Sequence, residues 1–146
     1  YPDVFTDQFH IDILAAHFVQ HPDWFDVVVA SNLFGDILSD LGPAVVGGMG
    51  IAPGANINPE KEFPSMFEPV HGSAPDIAGK KLANPIACIW TAAMMLDHLG
   101  ETEGAKLIVN AIENITEKED ILTRDLGGTA GTQDVTKAII EQIAQS

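Results

Sequence analysis

The residues best placed to do chemistry lie in the run Asp26-Val27-Val28-Val29-Ala30-Ser31-Asn32-Leu33-Phe34-Gly35-Asp36-Ile37-Leu38-Ser39-Asp40. Four apolar, mostly β-branched residues predict a short buried strand. Ser31 and Asn32 are good helix caps, so a helix is expected to start there. On it Asp36 and Asp40 stand four residues apart, one turn above the other on one face. Like charges at that spacing repel unless a positive charge sits between them. A cation that prefers oxygen ligands, magnesium or manganese, meets that need. The place adds weight, since open α/β sheets bind ligands beyond the carboxyl ends of their strands. A solvated helix face is the commoner explanation of a bare D-x-x-x-D pair, so the rest of the chain has to decide.

The elements around that run set its context. Nearly half of the 146 residues are apolar, enough for a real core. Against 21 Asp and Glu stand 7 Lys and Arg, a net charge of −14. Nucleic acid and anionic membrane surfaces, which call for a basic face, are therefore not expected as partners. Cys88 is the one cysteine, which excludes an internal disulfide and points to a reducing, cytoplasmic setting. Its apolar neighbours predict a buried, inert thiol. No signal peptide is evident, and no apolar run reaches the roughly 18 residues of a spanning helix. Tyr1-Pro2-Asp3 enters a strand-like segment without an initiator Met, as expected of a piece of a longer protein.

Along the chain, residues 3–9 are expected to form a short strand. Ile11, Leu14, Ala15 and Phe18 follow helical spacing from His10 to Gln20, with Asp12 on another face. His21-Pro22 ends that helix. Gly42-Pro43 is expected to kink or interrupt the next one. Gly47 to Gly54 is rich in breakers and marks a domain boundary; its glycines form neither a dinucleotide fingerprint nor a phosphate-binding P-loop. Extended segments are expected at Ala55–Asn58 and Ser65–Glu68. Asn84-Pro85 opens a helix that Gly100 stops. Further helices are expected over Thr102–Lys118 and from Thr132, joined by the glycine-rich Asp125–Thr132, to which no role attaches.

The stretch from Glu68 to Lys80 is long, polar and broken by Pro and Gly, the mark of a functional or a disordered loop. Small residues at Gly72, Ser73 and Ala74 would let backbone N–H groups approach a ligand. Asp76 is suited to accept hydrogen bonds from the two hydroxyls of a ribose. An ordinary surface turn accounts for the same composition.

Together these segments resemble the β-decarboxylating dehydrogenases, the isocitrate and isopropylmalate dehydrogenase family. Asn32 to Asp40 is similar to that family's metal-binding motif. Glu68-Pro69-Val70-His71-Gly72-Ser73-Ala74-Pro75-Asp76-Ile77-Ala78-Gly79-Lys80, with Ala83-Asn84-Pro85, is similar to its nicotinamide-cofactor loop. The likeness runs over essentially the whole chain and corresponds to the C-terminal part of a family member. Within the family the tartrate/D-malate branch looks nearest, through His10 to Leu14, Ala30-Ser31-Asn32, Asp40 to Ala44, Gly50 to Pro53 and Phe63 to Glu68.

The resemblance implies an α/β, two-domain fold. Residues 1–47 would be part of the smaller, dimer-forming domain and 48–146 part of the larger, cofactor-binding domain. It implies Asp36 and Asp40 as ligands of Mg2+ or Mn2+, with Asp12 reaching the metal site of the other subunit of a homodimer. His71, Gly72, Ser73, Ala74 and Asn84 would hold the adenosine part of the cofactor, Glu68 would lie nearer the nicotinamide, and Asp76 would bind the ribose. A 2′-phosphate would meet Asp76, and Ile77 offers it no hydrogen bond, so NAD is favoured over NADP. The implied reaction passes hydride from the hydroxyl-bearing carbon of a small hydroxy-dicarboxylate to NAD and then releases carbon dioxide, with the metal polarising the carbonyl. The family's catalytic lysine, tyrosine and substrate-clamping arginines have no counterpart here, so the chain alone is expected to be inactive. Gly54 and Lys81 also depart from the pattern. Two alternatives stay open: a 3-isopropylmalate dehydrogenase, and a non-catalytic binding or assembly module.

Overall fold

A computed structural model describes residues 1–145 and divides the chain into two compact units, Tyr1–Val46 and Gly47–Ser146. In the first unit, helix α1 spans Ile11–Gln20 and α2 spans Asn32–Val46, joined through a 3-10 turn at Pro22–Trp24. The two helices pack on each other, and Leu38 is the unit's buried apolar side chain. An aromatic group surrounds the end of α1. Phe18 and Phe25 lie 4.9 Å apart, and His21 stacks on Trp24 at 4.0 Å. Such contacts add to stability beyond the area they bury.

Several expectations for this unit do not hold. Residues 3–9 form a turn and irregular chain, not a strand. Residues 26–30 are not a strand either, and they make no backbone hydrogen bond among the described residues. Val27 and Val29 are 86% and 95% exposed. The reason is physical: a strand satisfies its backbone only against a neighbour, and no second strand exists among the described residues of this unit. Pro43 does not interrupt α2. Its fixed φ is itself helical, and it removes one rung, to the Ser39 carbonyl.

The second unit begins with Gly47 and Gly48 at positive φ, followed by a 3-10 turn at Met49–Ile51. Strands β1 (Ala55–Asn56) and β2 (Met66–Phe67) pair antiparallel, Ala55 opposite Phe67 and Asn56 opposite Met66. Two further backbone bonds, from Glu68 N–H to Gly54 (3.1 Å) and from Val70 N–H to Ala52 (3.3 Å), continue the pairing beyond them. Three helices follow: α3 (Ile86–Leu99), α4 (Thr102–Lys118) and α5 (Thr132–Gln145). Helix α3 ends as its sequence demands. Gly100 is left-handed, its N–H bonds Asp97, and Glu101 N–H returns to Leu96 at 2.8 Å, a Schellman closure.

Helix α4 packs against both α3 and α5. Their core joins Ile86 to Ala111, Ile112, Ile115, Val135, Ala138 and Ile139. Each large apolar side chain buried there contributes about 1.5–3 kcal/mol. Cys88 turns out exposed, against expectation; the helix is apolar nearly all round, so hydrophobic neighbours in sequence do not say which face is covered. The surface pairs Lys106–Glu103 and Lys137–Glu141 are both exposed and add little. No helix of the described residues is long and apolar enough to cross a membrane.

Between α4 and α5 the chain doubles back on itself. Gly128 N–H bonds Thr123, and Ala130 N–H bonds Leu122 at 2.9 Å. A Cβ at residue 128 would collide with the Leu122 carbonyl. Gly128→Ala should therefore cost about 1–3 kcal/mol, the usual range for overpacking. The urea unfolding midpoint reads this directly, and an unmoved midpoint would show that the close approach is absent.

Candidate functional site

Asp36 and Asp40 sit on one face of α2, both exposed. The Asn32 Nδ2 group donates to Asp36 Oδ2 at 3.3 Å, a long and weak bond. Among the described residues neither carboxylate has a cationic partner. Two like charges one turn apart, without a neutralising side chain, fit the oxygen-donor preference of Mg2+ or Mn2+. They supply only part of a coordination shell. Asp12 lies in the first turn of α1, where its Oδ1 accepts from Ile13 N–H at 2.8 Å. It does not join the other two: no group of three potential ligands forms among the described residues.

The segment Glu68–Lys80 is irregular to Ala74, with a bend at Val70 and His71, and turns over Pro75–Lys80. Its Glu68 and Asp76 side chains are exposed and make no hydrogen bond or ion pair among the described residues. His71 is half-buried, and its Nδ1 lies 3.1 Å from the Gly72 carbonyl. A carbonyl only accepts, so Nδ1 is the donor in this contact. Gly72, Ser73 and Ala74 are exposed. Ala74 takes φ +40° and closes a turn by accepting Ile77 N–H at 3.1 Å. Ile77 is half-buried and accepts Lys80 N–H at 3.1 Å. A free carboxylate at Asp76, beside exposed small residues, fits a ribose diol.

Asn84 is the exception in this group, being buried. Its Oδ1 accepts the N–H of Ile86, the first residue of α3, at 2.9 Å. Its Nδ2 donates to Asp125 Oδ2 at 2.9 Å. The regular helix starts at Ile86, so Pro85 rather than the expected Asn84 holds the cap position and no side chain bonds there as a cap; the Asn84 bond still occupies one of the helix's free N–H groups. Asp125 had no role in the sequence-based expectations. The only signal was a polar residue among glycines, and a partner 41 positions away is not readable from spacing. The same holds for Thr132, whose N–H bonds Lys81 at 3.0 Å and whose hydroxyl bonds Ala83 at 2.5 Å.

The isocitrate/isopropylmalate dehydrogenase family model matches residues 1–143, and the chain belongs to that family. Its fold is that of the family. The isocitrate dehydrogenase of Methylococcus capsulatus superposes with a TM-score of 0.91 at 44% identity, over 98% of this chain and 42% of that one. The chain is 57% identical to tartrate dehydrogenase/decarboxylase of Pseudomonas putida, over 99% of its length and 41% of the relative's. It is also 57% identical to D-malate dehydrogenase [decarboxylating] of Escherichia coli (strain K12), over 98% of its length and 41% of the relative's. The chain thus spans about two-fifths of the length of these curated relatives.

Proposed function

We propose that these residues form the metal- and cofactor-bearing part of an enzyme that oxidises and decarboxylates a small 2-hydroxy dicarboxylic acid, of the D-malate or tartrate type. NAD and Mg2+ or Mn2+ are its cofactors. The 57% identity to relatives named for tartrate and D-malate decarboxylation carries the substrate class. Asp36 and Asp40 hold the metal, which supplies Lewis-acid polarisation of the substrate oxygen. Asp12 serves the site of a second copy in a homodimer.

Residues of the turn segment bind the nucleotide. His71, Gly72, Ser73, Ala74 and Asn84 hold adenosine, and Glu68 faces the nicotinamide end. Asp76 accepts the ribose hydroxyls, and its charge with the apolar Ile77 repels a 2′-phosphate. The groups that move protons and clamp the substrate carboxylates come from outside residues 1–146. The first unit belongs to the dimer-forming domain and the second to the cofactor-binding domain.

The full-length protein should reduce NAD with D-malate or tartrate, stop when its metal is chelated, and recover with Mn2+ or Mg2+. Asp36→Asn should cost more than the ~10–100-fold typical of a residue that merely supports a ligand; unchanged activity would remove Asp36 from the metal site. Replacing Asp76 by Lys together with Ile77 by Tyr should move the kcat/KM preference toward NADP, and a constant NAD:NADP ratio would refute the ribose role. Purified residues 1–146 alone should form no NADH from NAD and D-malate; measurable formation would place the proton-moving groups within this chain.

A further inference from the structure

The segment that follows α4 is bonded to the end of the cofactor loop at three points. Thr132 holds the carbonyls of Lys81 and Ala83, and Asp125 holds the Asn84 amide. The two neighbours of Asn84 leave its orientation no choice. A backbone N–H can only donate, so Oδ1 must face Ile86; a carboxylate can only accept, so Nδ2 must face Asp125. The backbone at Gly50 closes the other side. A Cβ there would come within 2.5 Å of Asp125 Oδ2 and 3.0 Å of Asn84 Cβ. Asn84 is 8% exposed, and an amide with these two bonds has one N–H and one lone pair left over.

Resting on the assignment of Asn84 to the nucleotide site, we propose that Asp125 is a positioning residue for the cofactor. It acts through Asn84 in two ways. It locks the amide so that the remaining donor and acceptor point in one direction. Its charge also polarises the amide, which strengthens the remaining N–H as a donor, as hydrogen bonds in a chain do. Without Asp125, the Asn84 side chain keeps only the bond to Ile86 and loses that fixed aim. The cost of ordering it then falls on cofactor binding.

Steady-state kinetics of the full-length protein with NAD and D-malate test this. Asp125→Ala should raise KM for NAD about tenfold, the worth of one charge-assisted hydrogen bond, with kcat and KM for D-malate changing less than about twofold. Asp125→Asn still accepts but carries no charge, so it should fall between, near threefold. Asn84→Ala removes the cofactor contact itself and should raise KM for NAD at least as much as Asp125→Ala, and the double variant should be no worse than Asn84→Ala, because Asp125 acts only through Asn84. An unchanged KM for NAD in Asp125→Ala, with a raised one in Asn84→Ala, would overturn the proposal while leaving the nucleotide site in place. Additive effects would overturn it too. If neither variant moves KM for NAD, the assignment of Asn84 itself fails. Should Asp125→Ala not fold, Asp125→Asn decides alone, and no rise in its KM for NAD rejects the proposal.

Discussion

The Asn84 side chain is the joint on which the second unit turns. One amide satisfies the first free N–H of α3 and a carboxylate from the connection between α4 and α5. A buried amide with unmet hydrogen bonds costs about 1–3 kcal/mol, so these partners and Asn84 constrain one another. Ile86, two residues further on, is at the same time a core residue between α4 and α5. The start of α3 is therefore fixed twice, by apolar packing on one side and by directed polar bonds on the other. The loop that precedes it inherits that fixed end.

What was legible in the sequence divides along the range of the interactions. Helices α3, α4 and α5 appear almost where expected, because spacing, Asn84 and Gly100 are local signals with local causes. Strands depend on partners, and there the expectations failed. The valines at 27–29 have high β propensity, yet no backbone bond among the described residues joins them to a ladder. β1 and β2 do form because they have each other, though shorter than predicted. Cys88 shows a third limit: an all-round apolar helix has no periodicity from which to tell its covered face.

The candidate site follows the same division. Asp36 and Asp40 share a helix face because four residues make about one turn, and that is arithmetic. The Asn84–Asp125 pair joins two segments through the tertiary fold, so no pattern within either segment contains it. Asp12 belongs to neither case: its separation from Asp36 and Asp40 depends on how α1 and α2 pack, which the periodicity of each helix does not encode.

Residues 26–30 carry a consequence for how such a polypeptide survives its own synthesis. Unpaired N–H and C=O groups flanked by exposed valines accept whichever β edge arrives first. An identical valine run on a second copy is one such edge, and stacking of like segments is the geometry of cross-β assembly. That encounter rises with concentration, so dilution protects the few residues that sit just ahead of the paired aspartates.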